Sequence, residues 1–171
     1  MELFNLKRRG QTSIEFLLVF VIMLIYLQTV IQPSVLRVSN SAQAVSSIGQ
    51  TKLSAMNLAD SINEIHMISG ESKKNVWIFI DRNSSITCDD IGKKILYRVD
   101  VPAAISGVSG CTSTNPASSR CSGEIKLFDD VQLDCSNFAA ASGNELKGED
   151  SPKALVKVQK LDTGEIVLLD I

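Results

Sequence analysis

The chain has 171 residues, and its 17 Lys and Arg residues against 19 Asp and Glu residues give a net charge of −2. This balance gives no support to nucleic-acid binding, which depends on a basic surface, and we expect no nucleic-acid partner. Apolar residues make up 44% of the chain, but they are concentrated near the N-terminus. A soluble part of roughly 100 residues remains, and a domain of that size buries a limited fraction of its surface.

The first element is an apolar helix. Every residue from 16 to 27 is apolar, and the stretch extends over 14–31 with three polar interruptions, Glu15, Gln28 and Thr29. A helix over this stretch rises roughly 27 Å at about 1.5 Å per residue, which is close to the hydrocarbon thickness of a bilayer. The segment therefore predicts a membrane-spanning helix.

Three basic residues at 7–9 precede this helix, and positive charge before a span predicts a cytoplasmic N-terminus with the rest of the chain outside. An ordinary secretory signal is one alternative, because Ala42-Gln43-Ala44 fits the small-residue pattern at which such signals are cut. That site lies too far beyond Ile31 for a normal signal. A plain single-span anchor is the other alternative, and it leaves Glu15 unexplained.

The residues Arg9-Gly10, followed by Gln11-Thr12-Ser13-Ile14-Glu15 and the apolar run, resemble the class III signal peptide of archaeal type IV pilins. In that family prepilin peptidase cuts after the glycine, so the resemblance implies that residues 1–10 are removed and that Gln11 becomes the N-terminus. It implies a subunit that lies in the cytoplasmic membrane before assembly into an archaeal surface filament for adhesion or attachment. Its partners would be the peptidase, the assembly machinery and further copies of itself. Archaellins usually continue with a Gly-rich start, which this chain lacks, so the pilin branch fits better.

The role of Glu15 can also be argued from chemistry. Cleavage after Gly10 would create a protonated amine on Gln11, four residues from the Glu15 carboxylate. A carboxylate in apolar surroundings is costly unless it is paired. In a filament of staggered helices, Glu15 of one subunit can meet the Gln11 amine of a neighbour, so we predict these two residues as the assembly contact. The alternative is that Glu15 snorkels to the lipid headgroups.

The helix is expected to continue to about residue 69, with an apolar part at 11–32 and an amphipathic part at 33–70. Pro33 should kink or interrupt it, and Gly70 suits a left-handed cap at its end. The apolar face of the second part comprises Val38, Ala42, Val45, Ile48, Met56, Ala59, Ile62 and Ile65, with Leu53 and Leu58 alongside. This face packs either on the chain's own β-domain or on neighbouring helices of a filament.

Residues 71–171 predict a β-rich extracellular head. Strands are expected at 75–80, 94–99, 124–128, 131–133, 154–160 and 165–169, and Leu161-Asp162-Thr163-Gly164 is a hairpin signal. The expected fold class is therefore α+β, with a long N-terminal helix packed on a small antiparallel sheet of four to six strands. Residues 102–123 and 139–152 are expected to form long loops.

Four cysteines, Cys88, Cys111, Cys121 and Cys135, all follow the apolar helix. An even number on one side of a membrane predicts two disulfides in an oxidising compartment. No pair has Cys-x-x-Cys spacing, so we expect no metal site. Three pairings exist, one of which joins Cys111 to Cys121 and Cys88 to Cys135. Asn83-Ser84-Ser85 is a glycosylation sequon, so Asn83 is a candidate modification site.

No motif points to an enzyme. The single histidine, His66, lies near the end of the long helix, where we expect it to cap the helix or face solvent. The adjacent pairs Asp89-Asp90, Asp129-Asp130 and Glu149-Asp150 are more typical of turns than of acid–base couples. Asp89-Asp90 and Asp129-Asp130 also offer too few oxygen ligands in register for calcium. We therefore expect no catalytic residue, metal or cofactor. A structural filament subunit is the favoured function, and the alternative is a minor pilin or a membrane-anchored module that recognises a surface, a partner or DNA.

Overall fold

The computed structural model describes residues 3–101, 110–115, 118–138, 144–148 and 153–170. The chain divides into two units, Met1–Ala42 and Gln43–Ile171. The first unit is helical over its described residues. The second contains the later part of the helix and every described strand, and we call this second unit the head.

The described chain begins with helix α1, Leu3–Tyr26, continues through a π-helical turn at Leu27–Ile31, and proceeds in helix α2, Gln32–Met67. The apolar run from residue 14 onward accounts for α1, because it contains neither glycine nor proline and is rich in residues that fit a membrane helix. The predicted long helix is thus present, and it ends two residues earlier than expected.

The interruption expected at Pro33 takes the form of the π-helical turn directly before it. Proline has no N–H to donate, and its ring clashes with the carbonyl four residues earlier. At this turn the Gln32 N–H donates to the Leu27 carbonyl, five residues back, and the Thr29 hydroxyl donates to the Ile25 carbonyl at 2.7 Å. The regular helical hydrogen-bond pattern thus changes directly before the proline, and the Thr29 side chain adds a bond to the helix backbone there.

The end of α2 is capped from two directions. Gly70 has a φ of +84°, which is the left-handed conformation expected of a glycine that closes a helix. Lys160 donates from Nζ to the carbonyls of His66 and Ile68, each at 2.8 Å. A cation at this end also complements the negative pole of the helix dipole.

The described residues of the head form two sheets. The first sheet has four strands, in the spatial order β1 (Ser72–Phe79), β8 (Lys153–Lys160), β9 (Ile166–Asp170) and β6 (Leu133–Asp134). Only β6 runs parallel to its neighbour. The second sheet has five antiparallel strands, in the order β4 (Cys111–Asn115), β5 (Ser118–Lys126), β3 (Lys94–Val101), β2 (Ser84–Asp89) and β7 (Glu145–Lys147).

The nine described strands exceed the four to six that were expected. Strands β2, β4 and β7 are additional, and β5 begins well before the expected residue 124. Residues 102–109 and 116–117 of the first predicted loop, and 139–143 and 149–152 of the second, lie outside the described residues. The hairpin signal is confirmed, because Gly164 has a φ of +86° between the antiparallel strands β8 and β9.

The core lies between α2 and the inner faces of the two sheets. Leu58, Ile62 and Ile65 of α2 are fully buried against residues such as Ile78 and Ile95. This packing confirms the α+β class. The buried face of the helix also contains small and polar residues that the apolar pattern did not indicate: Ala44, Thr51, Ser54, Ala55 and Ser61. Their size lets the helix approach the sheets closely.

Candidate functional site

The apolar N-terminal helix presents its side chains to the outside of the chain. From Ile14 to Ile31 the large apolar side chains are 39–75% exposed, and none in the most apolar window is buried. By length and composition, the helical stretch from Ile14 onward can cross a membrane. An apolar surface of this extent must be covered by lipid or by other helices.

The predicted processing and assembly residues all lie on α1. Glu15 is exposed and follows Gly10 and Gln11 within the same helix. The side chains before Ile14, including that of Gln11 in the predicted contact with Glu15, are outside the described part of the chain. Glu15 directly precedes the uninterrupted apolar segment that begins at Phe16, near one end of the apolar surface.

The four cysteines form two disulfides. Cys88 of β2 bonds Cys135, with 5.9 Å between their Cα atoms, and Cys111 bonds Cys121 across the β4–β5 pair, with 4.0 Å between Cα atoms. The structure thus selects one of the three pairings that the sequence leaves open. Both partners of the first bridge are buried, at 4% and 0% exposure, so it belongs to the core.

Asn83, the sequon residue, lies apart from the disulfides in the turn between β1 and β2. It is exposed, and its carbonyl accepts a hydrogen bond from the Asp100 N–H at 2.8 Å. The backbone of the sequon is therefore fixed while its amide side chain lies at the surface.

His66 pairs with a carboxylate. Its Nε2 lies 2.9 Å from Asp130 Oδ2, and this hydrogen bond lowers the pKa of Asp130 below its ordinary value. Nδ1 of the same ring is buried and has no hydrogen-bond partner. The Asp129-Asp130 pair forms a turn, as its sequence indicated, and among the described residues no group of three or more His, Cys, Asp or Glu side chains is arranged to hold a metal.

The second sheet has a shallow groove of about 450 Å³. It is lined by Thr87, Leu96, Tyr97, Arg98, Ser122, Gly123 and Glu124. Gly123 is required here, because a side chain at this position would collide with the ring of Tyr97 on the neighbouring strand. The groove offers one guanidinium and one carboxylate to a ligand.

The outer face of the first sheet contains two exposed aromatic residues that the sequence analysis did not single out. Trp77 and Phe79 of β1 are 59% and 48% exposed, whereas Val76 and Ile78 between and beside them are buried. The sequence contains a signal for these residues, which is the continuous apolar run at 76–80. Such a run places apolar side chains on both faces of a strand. Alternation alone could not decide which face the core covers.

No protein-family model matches the sequence, and no curated protein or solved structure shows significant similarity to the chain. The resemblance to archaeal type IV pilins therefore depends on the N-terminal residues themselves. To these the structure adds a long N-terminal apolar helix whose later part packs on a β-sheet head. The same arrangement is found in pilin-like folds.

Proposed function

We propose that the chain is a structural subunit of an archaeal type IV pilus-like surface filament used for adhesion or attachment. The precursor lies in the cytoplasmic membrane, prepilin peptidase removes residues 1–10, and the mature subunits assemble through their N-terminal helices. The disulfide-linked head then faces the exterior.

The exposed apolar helix carries this proposal. Covering a Leu, Ile or Phe side chain contributes about 1.5–3 kcal/mol, and the exposed apolar residues between 14 and 31 provide many such contributions. In the membrane precursor lipid covers them. In a filament the same surface is covered by the helices of neighbouring copies, which drives assembly.

A second observation favours a filament over a plain anchor. On α2, beyond the apolar segment, Val45, Leu53 and Met56 are 61%, 60% and 40% exposed, on the side of the helix that its own sheets do not cover. A helix that only anchors the head in a membrane does not require exposed apolar side chains at these three positions. Helices packed together in a filament would cover them, and Gly49 between them leaves open space for a close neighbour.

The test is the substitution Glu15→Ala, with Glu71→Ala as the matched control for an exposed carboxylate outside the apolar helix. If Glu15 pairs with the Gln11 amine of a neighbour, Glu15→Ala should still be inserted and cleaved but should be lost from sheared filament preparations. The control should assemble normally. Mass spectrometry of the membrane fraction should give an N-terminus at Gln11 in all three proteins.

Normal filament yield from Glu15→Ala would contradict the assembly role, and an N-terminus at Met1 or Val45 would overturn the pilin proposal. A minor pilin or an anchored binding module predicts a chain that is cleaved or anchored but almost absent from sheared filaments. The same spectra test Asn83, since a glycan there adds a mass that the substitution Asn83→Gln removes.

A further inference from the structure

The first sheet presents an apolar surface that the chain itself does not cover. Trp77 and Phe79 project from β1, which is the edge strand of that sheet. In the strand register Trp77 lies opposite Leu155 of β8, and Leu169 of β9 lies opposite Lys157 on the same face. We call this surface the aromatic patch.

The strands β1 and β8 that form the aromatic patch carry positive charge. Neither β1 nor β8 contains an Asp or a Glu, and together they contain five lysines. Lys74 pairs with Glu64, and Lys160 caps α2. Lys73, Lys153 and Lys157 alternate with the buried residues and so share the outer face. Lys153 Nζ lies 5.7 Å from the centre of the Phe79 ring.

A complementary feature lies elsewhere on the head, at the turn between β2 and β3. Ile91 at its tip is 92% exposed, the highest value among the exposed large apolar side chains. The turn is firmly held, because Asp90 Oδ1 accepts the Ile91 N–H and Asp89 Oδ1 accepts the Gly92 N–H, both at 2.8 Å. The tip therefore presents an apolar side chain next to the exposed carboxylate of Asp90.

We propose that the Ile91 tip of one copy docks on the aromatic patch of a second copy, with Asp90 facing Lys153 and Lys157. The occupant follows from charge complementarity, since the exposed Asp90 carboxylate beside an apolar side chain matches lysines beside an aromatic centre. The inference rests on the proposed function, because assembly through the helices holds the heads near one another. At the resulting high effective concentration a contact of this small size is sufficient.

The geometry also suits a polymer. The tip and the patch are different surfaces of one head, so the contact is heterologous and leaves each docked copy with a free tip or a free patch. Such contacts repeat along a filament instead of closing into a dimer. The proposed contact would thus add head-to-head cohesion to the packing of the helices.

A zero-length carbodiimide cross-linker tests the contact in the unaltered protein, because it joins a carboxylate to an amine only where the two touch. We expect covalent multimers on a denaturing gel, with a peptide that links Asp90 to Lys153 or Lys157. The Lys94–Glu124 pair, at 3.0 Å within one chain, is the internal positive control. Asp162, an exposed carboxylate in the β8–β9 turn, is the negative control.

Substitutions test whether the cross-link depends on the aromatic patch and on the Ile91 tip. Trp77→Ala and Ile91→Ala remove exposed side chains, so the fold should persist, and each should lower the yield of the Asp90 link roughly tenfold, as loss of an interface anchor does. Asp90→Asn should abolish the link. Lys126→Gln, a change at an exposed lysine of the second sheet, should leave it unchanged.

The outcomes separate this contact from the filament proposal. Filaments that give the Lys94–Glu124 link but no Asp90 link would overturn the contact and leave the filament intact. Membranes that give the Asp90 link although no filament can be sheared from the cells would support the contact and overturn the filament. Linkage of Asp90 to a lysine of a different protein, or absence of both link and filament, would overturn the contact.

Discussion

At the C-terminal end of α2 the side chains of His66 and Asp130 join the helix to the turn that follows Phe128. Asp130 is largely exposed, and its pKa is lowered first by the hydrogen bond from His66 and then by its own backbone N–H. Because the folded-state pKa lies below the unfolded value of about 3.9, Asp130 stabilises the fold at higher pH. This contribution is lost as the pH falls through the folded-state pKa.

The substitution Asp130→Asn should therefore lower the melting temperature of the full chain in detergent at pH 7 and at pH 5. The difference from the unaltered protein should begin to shrink as the pH falls below about 4, the unfolded-state pKa of an aspartate. It should vanish as the pH falls through the lowered folded-state pKa of Asp130, because the protonated acid resembles the amide. Melting curves at pH 7, 5, 4 and 3 measure the effect.

The partner variant His66→Ala provides the control for this pH dependence. In that background the hydrogen bond that chiefly lowers the Asp130 pKa is already absent, so Asp130→Asn should have much less pH-dependent effect. A melting difference of equal size at pH 7 and pH 3 would contradict the assignment.

Among the elements, β1 depends on α2 as well as on β8. At its end Ser54 of the helix donates from Oγ to the Phe79 carbonyl at 2.8 Å and accepts the Phe79 N–H at 3.1 Å. One hydroxyl thus satisfies both backbone groups of an edge-strand residue that has no strand on that side. Lys74 adds an ion pair to Glu64 further along the same helix.

Replacing Ser54 by Ala should lower the free energy of unfolding by about 1–3 kcal/mol, since it leaves a partly buried N–H and a carbonyl without partners. Ser41→Ala is the matched control in the same helix, because its hydroxyl bonds only the Arg37 carbonyl at an exposed site. The control should change stability by less than about 0.5 kcal/mol. Denaturant titration of the full chain in detergent measures both, and equal effects would refute the role of Ser54.

The elements that sequence predicts are those with a strong local pattern. The apolar helix, β3, β8 and the turn at Gly164 follow directly from composition, alternation and turn chemistry. Strand β4, Cys111–Asn115, and the beginning of β5 at Ser118 do not, because Ser, Thr and Asn there also suit a loop. They are strands because they pair with each other and with β3, and pairing is a tertiary property.

The candidate sites divide in the same way. Glu15 and Gly10 are recognisable from residues in fixed order, whereas the aromatic patch depends on which face of β1 the core covers. The alternation of Val76, Trp77, Ile78 and Phe79 fits either face. The choice is made by α2, whose buried residues contact Val76 and Ile78 and leave the two aromatic rings outside.

In the head as a whole, the two disulfides differ in what they connect. Cys88 belongs to β2 of the second sheet and Cys135 directly follows β6 of the first, so this bridge ties the two sheets together inside the core. The other bridge joins Cys111 to Cys121 on neighbouring strands of one sheet. The first pair is 47 residues apart and the second 10, so the first closes the longer loop.

Removing each bridge by paired Cys→Ala substitutions should therefore have unequal effects. Loop-closure entropy predicts that loss of the Cys88–Cys135 bridge costs roughly 4 kcal/mol and loss of the Cys111–Cys121 bridge roughly 3 kcal/mol. The first loss is increased by the cavity that two buried sulfurs leave in the core. Thermal unfolding of the full chain in detergent without reductant should give the lower melting temperature for the Cys88/Cys135 variant. Equal melting temperatures, or the reverse order, would show that the bridge between the sheets does not hold the head together. With reductant the unaltered chain lacks both bridges, so it should melt below either variant measured without reductant.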